Sequence, residues 1–495
     1  MRAINLYQLT RIENPEMFSA FEKHLSLRSS KKLQGEHETR SLSCFVRNLI
    51  DKKATYSDLD YFYYSFSVPQ IGKEFDLLRI NDDFVLNVEL KSEFVSEEKI
   101  CKQLVQNKSY LLHLSNNIKS YTYVSSDNTV YSLNMDNELE KSSLEKVLYD
   151  IKSQNNCYQD DISVKFKVSD YLVSPLTTPE KFLNKEYFLT PQQENIKKEL
   201  MNDFSKNKEK SVFRGLTGNA GTGKTLALYD LAAECSQHSK TCIIHCGMTS
   251  TGHVRLTTSI DNLDIFPIKN LYSINFPLYD FIYIDESQRL RVHQLEMLVP
   301  IIEEHKLKCV FSYDDKQTLS QAEVDSKICE KIKNLTDFRE YKLTNKIRTN
   351  KEVASFIKKM MDTNFKDEID YYPSVSVSYA NNIEEAATLL KEFKKDGYYF
   401  INYTPSRFSI EEFQRFITDG NTHQVIGHEY DDVIMVIDNN FRYNQNGQLV
   451  ARKHPNPDYL FRKLVYQGIT RTRENLALII LNNKDAMKTI MDILS

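Results

Sequence analysis

The sequence holds no tryptophan and only 13 glycines and 12 prolines among 495 residues, which excludes collagen-like repetition. That scarcity makes any glycine cluster informative, and there is one. Cysteine is sparse as well: the eight are scattered singly, and the closest pair, Cys242 and Cys246, has no second pair to complete a zinc site. They are expected to be reduced, mostly buried thiols. No apolar run reaches the roughly 18 residues of a membrane span, and charges interrupt the opening MRAINLYQLTRIENPEMF where a signal peptide would be apolar. A cytoplasmic chain with no membrane partner is expected. Nor is there an excess of positive charge. The formal net charge is −4, with 27% charged and 41% hydrophobic residues, a soluble globular mix that excludes wholesale disorder and a basic coat yet leaves room for a local phosphate-binding groove.

At roughly 150 residues per domain the length implies about three domains. Up to about residue 150, helical stretches surround a short strand pair, and the polar tract 125–143 reads as an irregular hairpin or loop. Residues 169–191 carry three prolines and several Ser and Thr, a composition that suits an extended connector draped over a surface, taken as 166–186. Beyond Gly215, β-rich runs at 241–247, 281–287, 308–315, 374–380, 398–404, 433–438 and 476–481 alternate with helix-like segments. That alternation predicts parallel sheets with crossover helices, in two units at 187–335 and 336–495, behind an α/β domain at 1–165.

The glycine cluster lies in SVFRGLTGNAGTGKT, where a β-rich run leads into Gly218-x-x-x-x-Gly223-Lys224-Thr225 and a helix-like segment follows. Glycines, Gly221 among them, let the backbone turn so that its N–H groups converge on phosphates. Lys224 reaches the β and γ phosphates, and the Thr225 hydroxyl binds Mg²⁺ at a helix N-terminus. Farther on, FIYIDESQ is an apolar strand ending in Asp285-Glu286, where the second carboxylate of an ATP·Mg²⁺ site belongs in an open α/β sheet. Asp285 would hold the metal through water, and Glu286 would orient or deprotonate the attacking water.

In this part the sequence resembles superfamily 1 helicases across about 187–495, and the variant looks closest to bacterial Schlafen-like ATPase cores. Thr190-Pro-Gln-Gln193 looks like the motif whose glutamine reads adenine. Tyr313-Asp-Asp-Lys-Gln317 resembles motif III, and Leu343-Thr-Asn-Lys-Ile-Arg348 motif IV. Gln424-Val-Ile-Gly427-His-Glu429-Tyr-Asp431 resembles motif V, and Gln467-Gly-Ile-Thr470-Arg471-Thr-Arg473 motif VI. The resemblance implies two RecA-like lobes clamping ATP, with Gln317 sensing the γ-phosphate, Glu429 at the nucleotide, and Arg471 and Arg348 as arginine fingers. Thr249 and Ser250 fall where such cores touch a nucleic-acid backbone. Only about thirty residues separate Thr249 from Asp285, too few for the accessory subdomain that many unwinding members insert there. Translocation or ATP-gated clamping is expected rather than unwinding.

A second site is predicted in EFDLLRINDDFVLNVELK (74–91), two strands joined at Asn81-Asp82-Asp83. A two-residue loop at Asp82-Asp83 sets Asp76 opposite Glu89, with Lys91 on the same face as Glu89. Carboxylate pairs of this kind bind Mg²⁺ or Mn²⁺, and a neighbouring lysine orients the water that attacks a phosphodiester. The D-x₁₂-E-x-K spacing resembles the PD-(D/E)xK nuclease superfamily, although the first-letter proline is replaced by Glu74-Phe75. That resemblance implies a restriction-endonuclease-like α/β nuclease domain. Glu36 would complete the metal shell, and Gln106 and Tyr110 would form a RecB-type Q-x-x-x-Y element touching substrate. The combined expectation is a metal-dependent nuclease joined to an ATPase that grips single-stranded nucleic acid, DNA before RNA, in bacterial defence or DNA processing. The alternatives are an ATP-switched binder whose nuclease fold does not cut, and an ATP-regulated ribonuclease.

Overall fold

The computed structural model describes all residues except 13, 28–35, 69–72, 135, 167–172, 188, 345–349, 406–415, 417 and 452–458, and gives 36–38 as backbone only. The chain divides into two compact units, Met1–Tyr171 and Leu172–Ser495.

The first unit is built on a six-stranded sheet of β1 (Tyr63–Ser67), β2 (Glu74–Ile80), β3 (Val85–Lys91), β4 (Ile118–Val124), β5 (Thr129–Leu133) and β6 (Leu139–Ser142), ordered as in the chain. All neighbours are antiparallel except β3 and β4. A parallel pair needs a crossover, and helix Glu97–Leu111 provides it. Leu42, Phe45, Val46 and Leu49 of helix Glu36–Asp51 pack on one face with Leu77, Leu86 and Val88. Ile100 and Leu104 of the crossover helix pack with Val124 and Tyr131. The short strand pair read from the sequence is β2–β3 of a larger sheet, and the stretch 125–143, read as an irregular hairpin or loop, holds its regular final hairpin, β5–β6. Three of the polar side chains on β4 and β5 find their partners within the folded unit. Tyr121 donates to Asp150 Oδ2 at 2.5 Å, Tyr123 to Asn128 Oδ1 at 2.6 Å, and Ser132 to Glu140 Oε1 at 3.0 Å.

The second unit contains two parallel sheets, as the alternating pattern predicts. The first has the order β12 (Arg339–Leu343), β7 (Val212–Gly218), β11 (Lys308–Tyr313), β10 (Phe281–Asp285), β8 (Thr241–His245), β9 (Leu263–Pro267). The second runs β13 (Val375–Ala380), β19 (Thr472–Leu481), β16 (Tyr430–Ile437), β14 (Tyr399–Asn402), β15 (Gly420–Asn421). A small antiparallel hairpin of β17 (Phe441–Tyr443) and β18 (Leu449–Ala451) follows β16. The first sheet continues past the lobe boundary expected at 335/336, because β12 pairs with β7 along its whole length. Between Thr249 and Asp285 lie one helix, Thr251–Ser259, the edge strand β9 and short 3₁₀ turns. Cys235, Cys242, Cys246 and Cys309 are buried in this lobe as free thiols.

The expected surface connector is also corrected. Val173 and Leu176 are buried in the first lobe's core with Phe182. A Cβ on Gly252 would stand 2.2 Å from the Leu176 carbonyl oxygen, so the two backbones are in close contact. Ser174 and Thr178 bond to one another, Ser174 N–H to Thr178 Oγ1 at 3.1 Å and Thr178 Oγ1 to Ser174 O at 3.1 Å, so the polar residues are satisfied locally while the apolar ones are buried. Among the described residues no helix is long and apolar enough to cross a membrane.

Candidate nucleotide and metal sites

Strand β7 ends at Gly218, and helix Lys224–Ser236 begins as soon as the loop has turned. Gly221 and Gly223 have φ of +76° and +80°, left-handed values that admit glycine without strain. Lys224 Nζ donates to the carbonyls of Gly218 at 2.8 Å and Asn219 at 3.2 Å, and lies 3.9 Å from Asp314 Oδ2. Its ammonium thus bridges the loop's mouth, held by groups that phosphate oxygens outmatch in charge. Thr225 follows within the helix's first turn.

A small cavity at the loop is lined from the first lobe by Ala220, Gly221, Gly223, Lys224, Thr225, Glu286 and Gln317, and from the second by Gly427, Glu429 and Arg471. The first lobe supplies the carboxyl ends of parallel strands, the usual ligand edge. The second supplies residues just ahead of β16 and β19. Arg471 crosses between them. Its Nη2 donates to Gln317 Oε1 at 3.1 Å, while Nη1 and Nε hold the carbonyls of His428 at 3.3 Å and Gln467 at 3.2 Å. Gln317 in turn donates to Asp314 Oδ2 at 2.9 Å, the carboxylate beside Lys224. Glu429 lies 3.6 Å from Arg473 Nε.

Glu286 has φ +57°, a left-handed turn that is strained for a non-glycine residue and carries it out of the strand direction. Gln288 donates to its Oε2 at 2.6 Å, and Arg289 Nε is 3.6 Å away. Burial opposes ionisation, but the charges of Arg289, Lys224 and Arg471 outweigh it and hold the Glu286 carboxyl below the usual carboxylate range. Asp285 is buried at the end of β10, and its Oδ2 has no hydrogen-bond partner among the described residues. Arg289 and Asp314 were not among the residues predicted from sequence. Their signal lay in plain view, as charged residues close after the ends of apolar strands, Asp314 directly behind β11 and Arg289 four residues past β10.

Gln193, expected to read adenine, makes its bonds within the protein. Its Oε1 accepts from Thr190 N–H at 2.9 Å, completing a capping box, and its Nε2 donates to the Thr222 carbonyl at 3.1 Å. Both ends of the amide are occupied, so Gln193 braces the loop. Ser250 caps helix Thr251–Ser259 half-buried, and Thr249 beside it is exposed. Arg348 falls outside the described residues.

In the first unit, β2 and β3 pair Leu77 with Val88, Leu78 with Asn87, Arg79 with Leu86 and Ile80 with Val85, which carries Asp76 to the level of Glu89. Asp76 Oδ2 accepts from Leu90 N–H at 2.7 Å. Glu89 is almost fully buried, and two amides of helix Glu97–Leu111 hold it: Asn107 Nδ2 donates to Oε1 at 2.7 Å, and Gln103 donates to Oε2. Burial, then the charge of Asp76, pushes the Glu89 carboxyl from 4.5 up to about 8, against the pull of Lys73, Lys91 and the Asn107 bond. The helix residues that hold Glu89 are Gln103 and Asn107, one turn apart, and Gln106, expected to touch substrate, lies on the same helix. Tyr110 is buried with its ring edge-on to Phe75. Half-buried Lys91 stays beside Glu89 on the strand. Glu36 opens helix Glu36–Asp51, and its side chain lies outside the described residues. Among the described residues, no group of three or more His, Cys, Asp or Glu is placed to hold a metal ion.

Residues 213–401 match the family described as Schlafen group 3, DNA/RNA helicase domain, and this stretch is helicase-like. The match is shorter at both ends than the resemblance read from 187–495. Solved structures that match include unliganded Pif1 from Bacteroides sp, 11% identical over 61% of this chain and 94% of that one, TM-score 0.36. Pif1 helicase from Candida albicans is 13% identical over 62% and 98%, TM-score 0.34. Arterivirus nonstructural protein 10, a helicase solved with DNA, is 12% identical over 57% of this chain, TM-score 0.32, and this chain spans 63% of its length. No curated protein sequence matches the chain.

Proposed function

We propose that residues 172–495 are an ATP hydrolase working on nucleic acid in the manner of superfamily 1 helicases, on a single strand and on DNA before RNA. We further propose that the first unit is a metal-dependent nuclease. The observation that carries the first part is the reach of Arg471 from the second lobe to Gln317, which is bonded to the Asp314 carboxylate beside Lys224. Closing the lobes on a nucleotide brings that guanidinium to the transferring phosphoryl, where added positive charge is worth about 10³ to 10⁵ in rate. Glu286, kept ionised by its cationic neighbours, orients or deprotonates the attacking water. Thr225 and Asp285 would hold Mg²⁺. An oxygen donor set suits that ion, and Asp285 Oδ2, buried with no hydrogen bond among the described residues and with His245 Nδ1 3.3 Å away, is a group that a cation or its water would satisfy. When bound, Mg²⁺ neutralises phosphate charge.

In the first unit, Asp76 and Glu89 would hold Mg²⁺ or Mn²⁺, with Glu36 as a third ligand and Lys91 orienting water. The donor set fits, because a carboxyl pushed up by burial and by a second carboxylate is short of positive charge, which a divalent cation supplies. When bound, the metal acts as a Lewis acid on the phosphodiester. Gln103 and Asn107 fix the Glu89 carboxylate from behind. Tethering a cutter to a strand-gripping ATPase raises its effective concentration at the engaged strand, which supports a role in bacterial defence or DNA processing.

The test incubates wild type, Lys224→Ala and Glu89→Ala with labelled single- and double-stranded DNA and RNA and Mg²⁺, with and without ATP. Cleavage should survive Lys224→Ala and disappear in Glu89→Ala, while ATP hydrolysis shows the reverse. Cleavage unchanged in Glu89→Ala would sink the nuclease, and hydrolysis unchanged in Lys224→Ala would sink the ATPase.

A further inference from the structure

Between Ser250 and Asp285 lies a buried pair of histidines that the proposed hydrolysis does not use. His245 ends β8 and is fully buried, with Nδ1 3.3 Å from Asp285 Oδ2. Neither of its ring nitrogens has a hydrogen-bond partner among the described residues. An apolar side chain of the same volume would fill this place without leaving desolvated polar atoms, so packing alone does not account for an imidazole here.

Three neighbours surround this ring. Asp285 is the first. On the second side, His253 lies with its ring centroid 4.5 Å away, and His253 Nδ1 accepts from the Ser250 backbone N–H at 2.9 Å. On the third, His245 Cε1 is 3.4 Å from where a Cβ on Gly427 would stand. Gly427 belongs to the second lobe and lines the nucleotide cavity. A close-packed interior transmits small displacements rather than absorbing them.

We propose that His245 is a positioning residue that sets the orientation of Asp285 according to two inputs: the Ser250 turn, through His253, and the advance of the second lobe, through Gly427. Strand binding at the turn thereby accelerates ATP hydrolysis. This deepens the ATP hydrolase reading and rests on it. The left-handed φ of +77° at 427 favours glycine, and a Cβ there would already reach van der Waals distance from the ring.

Two variants of the full chain separate the links. His253→Gln keeps an oxygen to accept from Ser250 N–H but removes the ring packed on His245. His253→Phe keeps a ring but removes the acceptor. Steady-state ATP turnover is measured with and without a deoxythymidine oligonucleotide, alongside KM for ATP and oligonucleotide Kd by fluorescence anisotropy. In both variants, turnover without oligonucleotide, KM and Kd should stay within about twofold to threefold of wild type, while stimulation of kcat by the oligonucleotide falls about tenfold or more. Stimulation equal to wild type in either variant overturns the proposal, as does a parallel fall of basal and stimulated kcat, which is the mark of a merely structural role. Wild type that hydrolyses ATP but ignores the oligonucleotide overturns this inference and leaves the hydrolase reading standing. Wild type that hydrolyses no ATP overturns the hydrolase reading itself.

Discussion

Replacing Glu89 by glutamine should change how the metal-free protein's stability depends on pH. In the folded chain the Glu89 carboxyl is pushed from 4.5 to about 8 by burial and by Asp76. Between those two values the folded state keeps a proton that the unfolded chain has released, so stability falls as pH rises through the window and levels off above about pH 8. The slope is at most about 1.4 kcal/mol per pH unit, which accumulates to on the order of 5 kcal/mol. Glutamine occupies the same space, and its carbonyl can still accept the Asn107 bond, but it has nothing to ionise. Denaturant titrations from pH 5 to 9 in the presence of a chelator should show wild type losing stability relative to Glu89→Gln as pH rises. Hydrogen exchange of residues 85–91 would locate the change in β3. Adding Mn²⁺ at pH 8 should stabilise wild type and not the variant. Parallel curves for the two proteins between pH 5 and 8 would refute the electrostatic argument.

Three further outcomes are expected. Arg471→Ala should reduce kcat for ATP hydrolysis by about 10³ or more while changing the affinity for a fluorescent ATP analogue only a few fold, because its positive charge acts on the transferring phosphoryl. Gln103→Ala should slow metal-dependent cleavage by about 10- to 100-fold, as loss of a group that orients a metal ligand does, whereas Gln106→Ala should cleave at close to the wild-type initial rate. Gln193→Ala should weaken ATP and GTP binding equally in competition titrations and lower stability by about 1 kcal/mol through loss of the capping box; a selective loss of ATP binding would instead support the adenine-reading role.

The features legible in the sequence are those set by local rules. A β-rich run, glycines at fixed offsets and an immediate helix leave Lys224 and Thr225 few places to go. The Asp82-Asp83 turn sets the register that brings Asp76 to Glu89, because pairing follows from loop length alone. Long-range packing was harder to read. Strands β4 to β6 have Ser, Thr and Tyr where an apolar pattern would announce a strand, and only the folded sheet provides Asp150, Asn128 and Glu140 as partners. The stretch around Ser174 and Thr178 has the composition of an exposed linker, but its hydroxyls bond within the turn and free Val173 and Leu176 for the core. Gln103 escaped notice because helix phase decides which amide faces the carboxylate, and a motif match at Gln106 ignores phase.

The four cysteines enclosed in the first lobe give this protein a native stopwatch. Cys242 sits on β8, Cys309 on β11, and Cys246 just past the strand that ends at His245, and burial raises all three thiols far above their ordinary ionisation range. An alkylating reagent reacts with the thiolate and needs access to it, so neither condition is met while the strands stay together. The rate at which these positions become labelled therefore times the separation of the strands flanking the Asp285 strand, and comparing that rate with and without bound nucleotide measures how firmly the substrate fastens the lobe, with no engineered probe.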